Sequence, residues 1–391
     1  MTRIPISKPF FGAEEHEAIR APLESGWVVQ GPQVAEFERR FAEFCRVPHA
    51  VASTSCTTAL HLVLAALGLK PGDEVVVPAF TWVSTANVVE YQGATPVFAD
   101  VDLTTFNIDP DALVAAITER TVGVIPVHLF GLCAEMAPIL EIAQRHGLWV
   151  LEDAACGFGA SYRGDAAGTL GTAGAFSFHP RKSITTGEGG MVTTADDALA
   201  RKVAVLRDHG ASRTDLSRHV GRAGFLLAEY DDLGFNYRMT DLQGAMGCVQ
   251  MDRAPWILEQ RARVAASYDE LLAPVDWIRP PVVPDGHVHG WQSYVALFAP
   301  QAPSLANVEE LNLRRNAAMM RLEEQGIATR QGTHAPVGLG YYARKYDLRI
   351  EDFPGALLAD RTSLSLPLYP QLSDDDIERV VGALREAVEG G

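Results

Sequence analysis

Lys182 is a lysine in an unusual setting. It lies within GAFSFHPRKSITTGEGGMVTT, residues 174–194, between one apolar run, Ala175–Phe178, and a second, Met191–Thr194. Hydroxyls follow it, and Gly187-Glu188-Gly189-Gly190 closes the turn. A lysine between two strands is by itself most often a surface residue. Here the apolar entry and tight glycine exit offer what a Schiff-base amine needs, partial burial to shift its pKa and a partner to aim it. Asp153 is the second element. It follows the apolar run Leu148–Leu151 as Glu152-Asp153-Ala154-Ala155. It reads either as a helix cap or as a carboxylate set against a protonated ring nitrogen, the arrangement that makes a pyridine an electron sink.

Ser55-Cys56-Thr57-Thr58 is the third, at the start of an apolar helix. One hydroxyl would suffice for capping. Four polar residues there suit an anion held by free helix N–H groups, with Ser177 as a further hydroxyl. Trp82 sits just past a strand end, where a flat ring can stack on a heteroaromatic ligand or simply join the core. His128 and His179 read better as satisfied structural histidines, since no pair has metal-ligand spacing. Dinucleotide readings fail: Gly157-Phe158-Gly159 lacks the third glycine, and the GEGG turn precedes a strand instead of a helix.

The elements that must position these residues follow an α/β rhythm. Short Val/Ile/Leu runs at 50–52, 74–77, 96–100, 122–127 and 148–151 alternate with helices at 81–91, 110–118 and 134–146. Such continuous apolar runs suit a parallel sheet covered on both faces, whose ligands sit beyond the strands' carboxyl ends. Residues 13–45 read as two helices split at Gly26–Pro32, and 196–208 as another. A polar, flexible segment is expected over about 211–231. A long helix then runs from Thr240-Asp241 to about Leu272, broken near Pro255. Beyond it come a strand at 293–298 and helices at 313–325 and 374–388. The expected organisation is a large α/β domain over 1–250 and a smaller α+β domain over 251–391.

The net charge of −16 and pI near 5.1 argue against nucleic acid or an anionic membrane as partner. MTRIPISKPFFGAEEHEA has no apolar leader pattern, and no run is long enough to span a bilayer. The five scattered cysteines, Cys45, Cys56, Cys133, Cys156 and Cys248, read as free thiols of a reducing cytoplasm.

Taken together the chain resembles the DegT/DnrJ/StrS nucleotide-sugar aminotransferases, a group of fold-type-I pyridoxal-phosphate enzymes. The likeness runs through PFFGAEE, SGWVVQGPQVAEFE, KPGDEVVVPAFTWVSTAN, GATPVFADVDLTTFNID, EDAACGFGASYRG, FSFHPRKSITTGEGGMV, GFNYRMTDLQGA and SLPLYPQLSDDDIERV. It implies an aspartate-aminotransferase-like fold, a mainly parallel central sheet between helices with a smaller C-terminal α+β domain. It also implies roles. Lys182 matches the lysine bonded to pyridoxal 5′-phosphate, Asp153 the aspartate at the pyridine nitrogen, and Trp82 the stacked aromatic. Ser55, Cys56 and Thr57 fall in the phosphate turn, which Ser177 joins. Asn236 matches an asparagine reaching the phosphate of the neighbouring subunit, so a homodimer is implied. Two positions depart from the usual pattern: relatives commonly carry Gly or Ala at Cys56, and Gln, His or Glu at Cys156, the position that contacts the ring oxygen.

FSFHPxK…TTGEGG and FTWVST resemble the branch that aminates C4 of 4-keto sugars, as in pseudaminic-acid, perosamine and aminoarabinose pathways. The implied reaction takes an amino group from L-glutamate, leaving 2-oxoglutarate, and passes it through pyridoxamine phosphate to a nucleotide-linked keto sugar. Alternatives are a C3-keto-sugar or cyclitol acceptor, a pyridoxamine-dependent dehydratase, against which Lys182 argues, and a non-catalytic cofactor-binding sensor.

Overall fold

The apolar runs pair into one seven-stranded sheet. Its strands are β1 (His49–Ser53), β2 (Glu74–Pro78), β3 (Thr95–Ala99), β4 (Thr121–Val124) and β5 (Trp149–Asp153). The short β6 (Ser161–Tyr162) and β7 (Asp165–Ala166) stand outside it, and β8 (Ala173–Ser177) and β9 (Gly190–Thr194) complete it. The computed structural model describes residues 3–211 and 228–389. The strand order is β1-β9-β8-β5-β4-β2-β3. β3, β2, β4, β5 and β8 are parallel neighbours, while β9 is antiparallel to both β8 and β1. Six strands therefore end at one edge, and β9 begins there. Ser53, Pro78, Asp153, Ser177 and Gly190 all lie along that edge.

Helices cover both faces, as the absence of a polar period in the strands requires. α1 (Ala13–Ser25) and α2 (Pro32–Cys45) lead the chain; α3 (Cys56–Ala66), α4 (Ser84–Tyr91), α5 (Pro110–Ala116), α6 (Met136–His146) and α7 (Asp197–Arg207) alternate with the strands. α3 and α4 share the core of Leu60, Val63, Val77, Phe80 and Val89. On the other side Phe37 and Phe41 of α2 meet Phe176, Phe178 and Met191.

α8 (Asp241–Leu272) is a single helix of 32 residues, not the broken pair expected at Pro255. The lost N–H bond is outweighed by packing along its length, on α1 and α2 at one end and on the C-terminal core at the other. Gly244 permits this approach, because a Cβ there would stand 2.6 Å from the Val34 nitrogen. Asp241, at its start, accepts from the N–H groups of Gly31, Gln33 and Val34, so it also caps α2.

Past α8, β10 (Ile278–Arg279), β12 (Tyr294–Phe298) and β13 (Ser363–Leu366) form a three-stranded antiparallel sheet, while β11 (His287–Val288) returns to pair with β6. Around that sheet lie α9 (Val308–Glu324), α10 (Gly340–Tyr346), α11 (Pro354–Thr362) and α12 (Asp374–Glu389). Tyr268, Leu272, Tyr294, Phe298, Ile377 and Leu384 build a second core there, fed by the far half of α8. The expected flexible segment over 211–231 lies mostly outside the described residues. No helix among the described residues is long and apolar enough to cross a membrane.

Candidate active site

β5 sets two adjacent carboxylates on opposite sides of the sheet edge. Asp153 is 3% exposed. Its Oδ2 accepts from Thr85 Oγ1 at 2.7 Å, and its Oδ1 from the Ala155 N–H at 3.1 Å. The Cys56 thiol stands 3.8 Å from the same Oδ1 and 3.4 Å from the Ala175 carbonyl oxygen. Cys56 is thus turned into the protein, and burial foremost, with Asp153 beside it, pushes its thiol well up. Thr85, in the first turn of α4, touches Thr81 Oγ1 at 3.2 Å. A chain of hydroxyls thereby connects Asp153 to the strand end that carries Trp82.

The loop from β8 to β9 brings Lys182 to the same edge. Its turn closes with the Lys182 N–H donating to the His179 carbonyl at 2.8 Å. The two threonines of TTGEGG hold the far side: Thr185 Oγ1 donates to the Phe178 carbonyl at 2.7 Å, and Thr186 Oγ1 to that of Glu188 at 2.7 Å. Both are buried and structural. The Lys182 side chain is half-buried, with Nζ 3.1 Å from Cys156 Sγ. Burial alone would lower its pKa; the pull of Cys156, Cys56 and Asp153 outweighs that and holds the ammonium above its usual range.

Behind Lys182 lies Arg261, 1% exposed. Its Nη1 donates to the Trp291 and Gln292 carbonyls at 2.9 and 3.0 Å, and its Nη2 to the Lys182 carbonyl at 3.4 Å. No carboxylate among the described residues pairs with it, and burial pulls its pKa down to about 10. Gln292 Nε2 donates to the Arg181 carbonyl at 3.0 Å. Two side chains from the C-terminal half therefore grip the backbone that carries the lysine. Thr85, Arg261 and Gln292 carry no motif in the sequence beyond the four-residue spacing of Thr81 and Thr85.

The α3 start meets this group through Gly190. In register, Gly190 pairs with Ser53 on one side and Ser177 on the other. A Cβ at Gly190 would lie 2.3 Å from Ser55 backbone atoms and 2.7 Å from the Cys56 nitrogen. Only glycine lets the helix end close on the sheet here. Ser55 Oγ is engaged as the cap, accepting from Thr58 N–H at 3.1 Å. The N–H groups of Cys56 and Thr57 have no acceptor among the described residues, which leaves two donors at the α3 start on the edge that carries Ser177.

The structure thus gathers Lys182, Cys156, Asp153, Cys56, Thr57, Ser55 and Ser177 at one edge. Trp82 is 59% exposed, its ring 6.0 Å from that of His334. Asn236 is exposed on the segment that bridges to Asp208. His128 is structural, as read: Nε2 lies 2.8 Å from Glu152 Oε2, and Nδ1 accepts from Ala134 N–H. His179 Nδ1 accepts from the Arg181 N–H at 3.2 Å.

A mainly parallel sheet with an amine, a buried carboxylate and unaccepted N–H donors along one edge suits a cofactor enzyme of the pyridoxal-phosphate kind. The chain belongs to the DegT/DnrJ/EryC1/StrS aminotransferase family, whose model matches residues 9–385. It is 40% identical to the spore coat polysaccharide biosynthesis protein SpsC of Bacillus subtilis over 389 residues, covering 99% of this chain and 97% of that one. It is 40% identical to GDP-perosamine synthase of Caulobacter vibrioides over 391 residues, covering 99% of each. Spr1654 of Streptococcus pneumoniae, solved in PMP and PLP forms, superposes in its PMP form with a TM-score of 0.91 at 27% identity over 99% of both chains. The protein is accordingly a pyridoxal-phosphate-dependent aminotransferase of fold type I.

Proposed function

We propose that this enzyme moves an amino group from L-glutamate to the C4 keto group of a nucleotide-linked sugar, with Lys182 as its proton carrier. The observation that supports the site assignment is the convergence at one sheet edge of a cation, a carboxylate and unaccepted N–H donors. These residues fit pyridoxal phosphate. The Cys56 and Thr57 N–H groups with Ser177 would hold its phosphate, Asp153 would face its ring nitrogen, Cys156 its ring oxygen, and the open face of Trp82 would stack on the ring. Ser55 keeps that cradle in shape as the α3 cap. Asn236, exposed on this chain, suits a reach toward the phosphate of a second copy.

When bound, pyridoxal phosphate supplies the electron sink that lets a proton leave the donor's Cα. The protein's part is placement and proton movement. Lys182 Nζ takes the proton from glutamate Cα and, in the second half of the cycle, delivers a proton to the sugar carbon that receives the nitrogen. Asp153, held by Thr85 and Ala155, keeps a negative charge fixed where the ring nitrogen must stay protonated. Arg261 and Gln292 fix the backbone from which the Lys182 amine extends.

The sugar reading is supported by relatives named for GDP-perosamine synthesis and for spore coat polysaccharide biosynthesis. Perosamine pathways are among those to which HPRK…TTGEGG and FTWVST point. The test is to charge the enzyme to its pyridoxamine form with glutamate and offer keto nucleotide sugars one at a time, following return of visible absorption. Return with 4-keto sugars is expected. Return with 3-keto sugars or cyclitol ketones alone would overturn the C4 assignment.

A further inference from the structure

Four of the five thiols, Cys45, Cys56, Cys133 and Cys248, are buried. Burial pushes Cys45 to about 12 and Cys248 to about 11, which makes them poor nucleophiles. Cys156 differs in being half-buried and in having an amine, Lys182 Nζ, 3.1 Å from its sulfur. A thiol that oxidants can reach forms a sulfenic acid, which a neighbouring thiol or nitrogen can capture. Here the neighbour is the very lysine on which the chemistry depends.

We propose that Cys156 and Lys182 are a peroxide modification site, joined on oxidation by a sulfur–nitrogen bond. In the first step the Cys156 sulfur attacks hydrogen peroxide. The sulfur is oxidised by two electrons to sulfenic acid, and the peroxide is reduced to one water. In the second step the Lys182 ammonium releases one proton to solvent, and the resulting amine attacks that sulfur. The S–N bond forms, the S–O bond breaks, and the hydroxyl leaves as water with one amine hydrogen. The linked protein is lighter than the starting protein by two hydrogens. Condensation of a sulfenic acid with nitrogen is established chemistry, and the bond is reversed by thiols. The link would withhold Lys182 from the cofactor while protecting Cys156 from irreversible oxidation. Bound cofactor, by engaging Lys182, competes with it.

The inference rests on the Lys182–Cys156 geometry and does not depend on which sugar is the acceptor. The test is to treat the full-length protein with hydrogen peroxide, both stripped of cofactor and saturated with pyridoxal phosphate, and map the products by peptide mass spectrometry. The expected result is a Cys156–Lys182 peptide pair lacking two hydrogens in the stripped protein. Dithiothreitol should reverse it and restore cofactor binding, read from the visible spectrum; saturating cofactor should suppress it. Lys182→Arg should divert Cys156 to sulfinic acid, and Cys156→Ser should give no link. The proposal is overturned if the wild-type protein shows only Cys156 sulfinic acid or a disulfide to Cys56. It is equally overturned if the link forms undiminished under saturating cofactor.

Discussion

Glu152 and Asp153 are neighbours in β5, yet their surroundings are opposite. Glu152 is fully buried, and its two oxygens are saturated by His128 Nε2 and by the N–H groups of Gly168, Leu170 and Gly171 at 2.7–2.8 Å. Asp153 has one hydroxyl, one N–H and a distant thiol, and a lysine nearby whose only hydrogen-bond partner at Nζ among the described residues is a thiol. The first is a closed structural knot. The second has capacity left over for a ligand. Satisfaction, more than burial, separates a carboxylate that holds the fold from one that awaits a partner.

Substitutions at the two positions should therefore fail in different ways. Asp153→Asn is expected to leave the melting temperature near that of wild type while lowering kcat by about 10²–10³-fold, the usual range for removing one fixed charge or donor from a reacting centre. Glu152→Ala should destabilise the fold by about 3–5 kcal/mol, because three N–H groups and a histidine lose their buried acceptor. Denaturant titration and steady-state rates on both variants would show whether the division holds. Similar loss of stability in both would erase it.

Arg261 sharpens the comparison, being a buried cation that carries carbonyls instead of a carboxylate. Arg261→Met should lower kcat by about 10–100-fold through misplacement of Lys182. Arg261→Lys should recover part of that loss. A pH titration of the bound cofactor's visible band should shift in the methionine variant, which simple loss of stability would not cause.

His289 adds a pH-dependent effect; it stacks on Trp291 with ring centroids 3.9 Å apart and accepts from the Trp291 backbone N–H. Burial foremost, with His287 nearby, lowers its pKa from 6.5 to about 3. Below pH 6.5 the unfolded chain takes up a proton that the folded chain refuses, so stability falls with pH. The contribution is about 1.4 kcal/mol per pH unit until pH nears 3. His289→Gln should flatten the acid limb of the stability profile by that slope.

Lys182 and Asp153 were legible because amines and carboxylates are conspicuous at the ends of apolar strands. The parallel sheet was legible from its unbroken apolar runs. Thr85, Arg261 and Gln292 were not, because each acts on a residue far along the chain. Arg261 reaches Lys182 across 79 residues and through a carbonyl, which no side-chain pattern encodes. Ser55, a phosphate-ligand candidate by its place in a hydroxyl run, also caps α3 by accepting from the Thr58 N–H, which leaves its own O–H to donate. Pro255 looked like a break, and tertiary packing overrode it. α10, α11 and β13 show no clear period in the sequence because they are only 7, 9 and 4 residues long.

The central claim is that the Lys182 amine moves the proton. The direct measurement is glutamate half-reaction kinetics on Lys182→Ala reconstituted with pyridoxal phosphate, following 2-oxoglutarate release in a single turnover. The account predicts that release falls by about 10³-fold or more and that wild type loses its visible absorption on adding glutamate. Release by Lys182→Ala at the wild-type rate would contradict it.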